Sequence, residues 1–265
     1  MNDIVVVRGG GDLATGVIQK LYRAGLRVVI LEDPKPTAIR RTVSLCDCVW
    51  DGTAQVEDMT AVMVQTPAEC EAVWRREQIP LLVDPSAQSL KLLRPVGMVD
   101  AILAKHNLGT NSAMAPVVIA MGPGFTAPED AHAVVETMRG HNLGRVYFEG
   151  AALPNTGIPG VIGNRSAERV LRAPCAGTIR HHKQIGDLVE KGEVIFSVEG
   201  QAVTAPFTGL LRGLLREDLE VFPDMKAADI DPRLDSDWHT ISDKARCIGG
   251  GVLEAYLYLR RRIAL

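Results

Sequence analysis

A chain of 265 residues, 46% hydrophobic and 23% charged, is long enough to bury a core and is neither a disulfide-stapled mini-protein nor a disordered segment. Its 29 basic and 32 acidic side chains leave a net charge of -3, which excludes the basic field of a nucleic-acid binder. Twenty-five glycines and 15 prolines stand against 5 Phe, 4 Tyr and 3 Trp, a bias toward turns and close backbone packing.

The amino-terminal run IVVVR, a helix predicted from Leu13 to Ala24 and the run RVVILE give βαβ rhythm. Further predicted strands are DCVW near Cys48, Ala61–Gln65, Pro80–Asp84, Val99–Ala104, Pro116–Met121 and Arg145–Gly150. Near-continuous Val, Ile and Leu in them suits parallel strands covered on both faces. Ala127–Gly140 carries Val134, Val135 and Met138 at helical spacing behind two acids, so a crossover helix is expected there. PNTGIPGVIGN, from Pro154, has no period and reads as a connector. From Val170 to about Ile230, short β-type runs alternate with turns. Asp243 to the end returns to helical period, with Ser242 as N-cap. The expected fold class is α/β: a Rossmann-like, mostly parallel sheet over 1–165, a small β module over 166–235, and a C-terminal helix in 236–265 packed on the α/β domain.

MNDIVVV puts an acid before a short apolar run and reads as a strand, not a signal peptide. The uncharged stretch His106–Pro128 is broken by Gly109, Pro116, Gly122, Pro123 and Gly124, so no membrane span is expected. Cys46, Cys48, Cys70, Cys175 and Cys247 are odd in number and lack a CxxC pair, which fits reduced thiols in the cytoplasm.

Gly9, Gly11 and Ala14 match G-x-G-x-x-A between the first strand and the first helix, and Glu32 closes the second strand. Glycine there permits a tight turn and lets a pyrophosphate reach the helix amino terminus, where N–H groups are free. The candidate cofactor-binding set at this turn is Gly9, Gly10, Gly11, Asp12, Ala14, Thr15 and Glu32. The Glu32 carboxylate disfavours a 2′-phosphate, so an adenine dinucleotide of the NAD type fits better than NADP. The alternative is a turn that only packs the helix on the sheet. Asp12 places a negative charge near any phosphate, and Arg40 and Arg41 can compensate it.

Ligands of open α/β sheets bind beyond the carboxyl ends of the strands. Two loops there extend the set: Lys105, Asn107, Gly109 and Thr110 after one strand, and Gly122 and Gly124 after the next. His141 with Glu136 upstream allows an acid–base reading, against dipole capping at a helix end. Adjacent His181 and His182 point to opposite strand faces and make poor joint ligands. Cys46 and Cys48 on a strand would share a face, with core packing as the plainer reading. No metal site is expected, and no Ser-His-Asp order, HExxH or P-loop occurs.

In the β region A-P-x-x-G occurs at Ala173–Gly177 and again at Ala205–Gly209, 32 residues on, which suggests two interlocked halves from an internal duplication. These halves, with IGDLVEKG, resemble biotinyl and lipoyl carrier domains of barrel-sandwich type. The hairpin that bears the carrier lysine in that family reads Ser197–Ala202 here and has no lysine; Lys183, Lys191 and Lys226 lie elsewhere. The resemblance therefore implies a docking or lid element without covalent biotin or lipoate.

Six strings in order, RGGGDLATG (Arg8–Gly16), GPGF (Gly122–Phe125), RGHNLGRV (Arg139–Val146), PNTGIPGVIG (Pro154–Gly163), DIDPR (Asp229–Arg233) and ISDKARCIGGGVLEA (Ile241–Ala255), resemble the YqeB family of selenium-dependent molybdenum hydroxylase accessory proteins. That family is related in role to XdhC-type accessory proteins. The resemblance implies help in preparing or inserting a molybdopterin cofactor, with a molybdenum hydroxylase of the xanthine dehydrogenase type as partner and no catalytic residues to carry over. An NAD-dependent oxidoreductase and a nonenzymatic protein that docks on the hydroxylase remain the alternatives. No nucleic-acid or membrane partner is expected, and homo-oligomerisation stays open.

Overall fold

The computed structural model describes residues 3–157 and 160–263. Ile158 and Pro159, in the predicted connector, and Ala264 and Leu265, in the predicted terminal helix, lie outside the described residues, as do Met1 and Asn2. The chain divides into two compact units, Met1–Pro36 with Ser44–Asn155 and Ile241–Leu265, and Thr37–Val43 with Thr156–Thr240.

The first unit begins with β1 (Ile4–Arg8), α1 (Asp12–Arg23) and β2 (Arg27–Glu32). Val5, Val6 and Val7 are fully buried, as β-branched residues are in a strand covered on both faces. Ala14, Val17, Ile18 and Leu21 recur at helical spacing and turn one face of α1 into the core. There follow α2 (Cys48–Asp51), β3 (Thr53–Val56), β4 (Met59–Met63), α3 (Cys70–Trp74), β5 (Ile79–Val83), α4 (Leu90–Leu93), β6 (Gly97–Asp100) and β7 (Val117–Met121). The short strands β8 (Thr126–Ala127), β9 (Ala133–Val135), β10 (Val146–Tyr147) and β11 (Gly150–Ala151) come next, and the unit closes with α5 (Asp243–Arg260).

Nine strands form one sheet in the order β10-β9-β7-β6-β1-β2-β5-β4-β3. All neighbours run parallel except β3 with β4 and β10 with β9. The chain leaves β1 toward β2 on one side and later returns through β6 on the other, so the order switches between β1 and β6. The expected mixed α/β fold with a large, mostly parallel sheet and a C-terminal helix is observed.

α5 starts as the sequence predicts, with the Ser242 hydroxyl accepting the Ala245 N–H at 3.2 Å. It packs on α1 at backbone distance. A methyl at Gly16 would lie 2.6 Å from the carbonyl carbon of Ala245, and one at Gly249 only 2.9 Å from that of Gly16. The helix is also pinned at its far end, where Tyr256 and Arg260 donate to Asp3 at 2.9 and 2.6 Å. Arg260 and Tyr256 together outweigh the cost of burial and hold the Asp3 carboxyl below its usual range.

Four expected elements differ. The predicted strand Arg145–Gly150 is split: Val146–Tyr147 pairs with β9 in the large sheet, while Gly150–Ala151 pairs with β8 in a separate two-stranded sheet. The Cys48 segment is helical, a 3-10 turn at Leu45–Asp47 running into α2, and does not align sulfurs on a strand face. Ala127–Gly140 forms no helix. Ala131, Ala133, Val134 and Val135 are all buried, and β9 pairs with β7, because the continuous burial from Ala133 to Thr137 leaves no solvent face for an amphipathic helix to present there. The predicted strand Val99–Ala104 ends at Asp100, where Arg8 and Thr110 engage its carboxylate.

The second unit holds β12 (Val170–Arg172), β13 (Gly177–His181), β14 (Leu188–Val189), β15 (Val194–Val198), β16 (Gln201–Thr204), β17 (Gly209–Leu214), β18 (Glu220–Val221) and β19 (Lys226–Asp231). They form two four-stranded antiparallel sheets, β12-β19-β17-β14 and β16-β15-β13-β18. The 32-residue offset runs through their hydrogen bonds. Ala173 donates to Met225 at 2.9 Å and Ala205 to Glu193 at 2.8 Å; Ile179 donates to Leu219 at 3.1 Å and Leu211 to Asp187 at 2.9 Å. Gly177 pairs with Val221 and Gly209 with Val189. Each half thus bonds to the other under one internal two-fold relation.

Candidate ligand-binding edge

The switch between β1 and β6 brings the glycine turn and the loop after β6 side by side. Gly9 takes φ +99° and donates to Leu31 at 2.8 Å, and a methyl on it would stand 3.0 Å from the Ala101 carbonyl oxygen. Gly10 is closed in from another side: its carbonyl accepts the Cys46 N–H at 2.9 Å, and a methyl there would meet the Cys46 nitrogen at 3.0 Å. Only Gly11 of the three opens on space, where a methyl would have no neighbour within 4 Å. It is the N-cap of α1 and makes no side-chain cap, so the first turn of the helix offers its N–H groups at that opening.

Glu32 lies beside the turn. Its Oε2 accepts the Gly10 N–H at 2.6 Å and Oε1 the Asp33 N–H at 2.8 Å. Burial pushes its carboxyl above the usual range, with the two backbone donors pulling back. Thr15 is fully buried; its hydroxyl donates to the Gly10 carbonyl at 3.2 Å and accepts the Leu45 N–H at 3.0 Å, fixing the turn from beneath. Ala14 is buried, and Asp12 is half-buried at the first helical position. Arg40 and Arg41 belong to the second unit.

The loop after β6 is held by Asn107, whose side chain accepts from Gly109 and Thr110 at 2.8 and 2.7 Å and donates to the Thr110 carbonyl at 2.8 Å and to Asp130 at 3.1 Å. Thr110 is buried: its hydroxyl accepts from Arg8 at 2.5 Å and donates to Asp100 at 2.6 Å. Asn107 and Thr110 therefore shape the loop with groups the sequence assigned to a ligand. Lys105 is exposed, in left-handed conformation at φ +67°. Gly109 is exposed at φ +93°. Gly122 and Gly124 also take positive φ; methyls on them would strike the Thr137 hydroxyl at 2.6 Å and the His106 Cα at 2.7 Å. The loops after β6 and β7 thus meet at Gly124, as those after β1 and β6 meet at Gly9.

Sequence reasoning passed over Arg8 and Asp100, which are paired in register at the ends of β1 and β6 and are both buried. Arg8 bridges to Asp100 at 3.5 Å and donates to the Pro85 carbonyl at 2.9 Å, tying the loops after β5 and β6 to β1. The available signal was an arginine and an aspartate closing otherwise apolar strands. Glu136 is buried too and accepts N–H bonds from Thr137, Met138 and Leu153 at 2.7–2.8 Å, with no link to His141. Among the described residues no group of three or more His, Cys, Asp or Glu is placed to hold a metal ion, and no helix is long and apolar enough to cross a membrane.

The class these features define is a mixed α/β protein with a glycine turn at the switch point of a mostly parallel sheet. No family model matches the chain. It is 50% identical over 259 residues to the uncharacterised protein YqeB of Escherichia coli strain K12, a match that covers 97% of this chain. The chain spans 48% of the length of that relative. Two solved structures align at low similarity. One is an aspartoacylase family protein from Mesorhizobium loti, with 12% identity, TM-score 0.29, and 88% of this chain and 86% of that one covered. The other is a succinylglutamate desuccinylase from Silicibacter sp. TM1040, with 10% identity, TM-score 0.25, and 86% and 84% covered. Likeness at these TM-scores carries no argument about fold or activity.

Proposed function

We propose that this chain is an accessory protein in the maturation of a selenium-dependent molybdenum hydroxylase of the xanthine dehydrogenase type. Its Rossmann-like first unit binds a nucleotide or molybdopterin-type cofactor in the cytoplasm, and its second unit, a barrel-sandwich module of biotinyl or lipoyl type, docks on the hydroxylase. The observation that carries the binding reading is the opening at Gly11, where uncapped N–H groups of α1 suit a phosphate beside a carboxylate, Glu32, that can accept ribose hydroxyls. The likeness to YqeB supports the family, and the role in maturation is the function that the resemblance implies. For the second unit, the hairpin between β15 and β16 turns at Glu199 and Gly200, both at positive φ, and the Glu199 carboxylate folds back to accept the Thr178 N–H at 3.0 Å. A carboxylate stands where a carrier domain presents its lysine, which favours docking over transfer on a swinging arm.

The test is calorimetric titration of the protein with ADP, NAD and molybdopterin, beside Gly11→Asp. At Gly11 an aspartate has room and would cap α1, so the variant should fold at least as well as the parent while its charge repels phosphate. Loss of ligand heat with stability retained is the expected result. Absence of heat with all three ligands, or undiminished binding by Gly11→Asp, would overturn the binding reading. An NAD-dependent oxidoreductase is the second reading, favoured by the same turn and by Glu32, and absorbance change of the nicotinamide with candidate substrates separates the two.

A further inference from the structure

In the second unit β19 carries Asp229 and Asp231 two residues apart, so both side chains leave one face of the strand, and both are buried. Arg169, just before β12, closes on Asp229, with its Nη2 3.0 and 3.2 Å from the two carboxylate oxygens. Asp231 is taken up by the chain that follows it. Arg233 donates its backbone N–H and Nε to Oδ1 at 3.0 Å and its Nη2 to Oδ2 at 2.7 Å, and the Ser236 hydroxyl donates to Oδ2 at 3.2 Å. Arg212, within β17, reaches that crowded oxygen through Nη1 alone, at 3.2 Å.

Arg212 is 7% exposed, and its Nε is buried without a hydrogen-bond partner among the described residues. The Nη1 bond leaves open the Nε–Nη2 edge, the pair of parallel N–H groups that an oxyanion engages side-on. Burial, and after it the charge of Arg40, itself 9% exposed, lowers the Arg212 pKa against the pull of Asp231 and Asp229. A buried guanidinium with one shared bond for five donors is poorly compensated. A β-bulge puts it there: Leu211 pairs with Ile230 and Gly213 with Asp229, which leaves Arg212 as the extra residue, and bulges re-aim side chains beside functional sites. The duplicated fold does not demand a buried arginine at this place, because Arg180, 32 residues earlier in the other half, is exposed and pairs with Asp218.

We propose that the second unit binds a small oxyanion, a phosphate or phosphomonoester group, with two oxygens on the Nε–Nη2 edge of Arg212 and its charge shared with Arg40. The residues all belong to that unit, and the site does not depend on the function proposed above. Inorganic phosphate is the probe, in calorimetric titration and in thermal melts against chloride at equal ionic strength, with phosphoserine as a second arm. The parent protein should bind phosphate saturably, and its melting temperature should climb with phosphate concentration. Arg212→Met should abolish both responses yet melt no lower than the parent without phosphate, because an apolar chain of similar length removes a poorly compensated charge while Asp231 keeps Arg233 and Ser236. Arg212→Lys keeps the charge but not the fork and should weaken phosphate about tenfold, which keeps the test open if the Met variant folds poorly. The titrations are repeated in Gly11→Asp, where phosphate is repelled from the glycine turn and binding at Arg212 should persist. Tighter binding of phosphoserine than of phosphate assigns the site to a phosphomonoester, and the reverse order to the free ion. No phosphate heat, undiminished binding by Arg212→Met, or a large fall in the melting temperature of that variant without phosphate, the mark of an arginine that serves only the fold, would overturn the proposal.

Discussion

Gly249, Gly250 and Gly251 sit in the middle of α5, where glycine costs about 1 kcal/mol each relative to alanine. The structure separates three residues that the sequence leaves equivalent. Gly250 is exposed and a methyl there meets nothing within 4 Å, so Gly250→Ala should stabilise the protein by about 1 kcal/mol. At Gly249 a methyl would overlap the Gly16 carbonyl oxygen, and the reciprocal methyl at Gly16 would stand 2.6 Å from Ala245 backbone atoms, against 3.4–4 Å for ordinary contact. The two helices would have to part by about 1 Å, and backbone cannot rotate aside as a side chain can. Overpacking at the upper end of its usual cost, about 3 kcal/mol, less the helix gain of about 1, leaves Gly249→Ala about 2 kcal/mol less stable than the parent. Neighbouring, chemically identical substitutions should thus differ by about 3 kcal/mol in opposite directions. Thermal melts followed at 222 nm should show Gly250→Ala rising by roughly 2–4 °C and Gly249→Ala falling by roughly 4–8 °C. A Gly249→Ala variant as stable as Gly250→Ala would refute close helix packing as the reason for the glycines.

In the second unit, Asp231 is fully buried against Arg212 at 3.2 Å and Arg233 at 2.7 Å. Burial opposes its ionisation, yet Arg233 and then Arg212 more than offset that and hold its carboxyl at about 2. The folded value lies below the unfolded one, so the contribution, about 2 kcal/mol, is present at neutral pH and lost as pH falls from about 4 toward 2. Urea melts at stepped pH should show this decline, and Asp231→Asn should lose stability at pH 7, because Arg212 is left buried without its charge partner, and flatten the acid limb. Thr110→Val should cost about 2–3 kcal/mol in the same assay, since it strips a hydroxyl from between Arg8 and Asp100 where water has no access. Among the thiols, Cys247 is exposed, whereas Cys48 and Cys70 are pushed up to about 12 and about 11 by burial and Cys46 is raised by the same cause. Mass-resolved alkylation at neutral pH should therefore label Cys247 first and Cys46, Cys48 and Cys70 only after denaturant is added; early labelling of Cys46 would contradict its burial.

Much of the framework was legible because local rules and burial agreed. Val5–Val7, the helix after Gly11 and the Ser242 cap each follow from propensity, period or capping within a few residues, and the 32-residue repeat of A-P-x-x-G anticipated the pairing of Ala173 and Ala205 with opposite halves. The Ala127–Gly140 segment was misread because Val134, Val135 and Met138 satisfy a helical spacing, while burial on every side turned Ala133–Val135 into a strand. The site was partly legible. Gly11 and Glu32 stand where G-x-G-x-x-A places them, but Asn107 and Thr110 spend their polar atoms on loop and core.

The sequence by itself determined the parallel α/β framework, the glycine turn, the terminal helix and the duplication, since each rests on the identity of residues close in the chain or on an exact repeat. Tertiary structure alone decided which glycines face backbone and which face space, because that depends on elements as remote as Gly16 and Gly249 arriving at the same place. It also decided that Arg8, Asp100 and Thr110 form one buried network and that Thr37–Val43 joins the second unit. The physical reason is common to all of these: desolvation and close contact are set by neighbours distant in sequence, which no local pattern records.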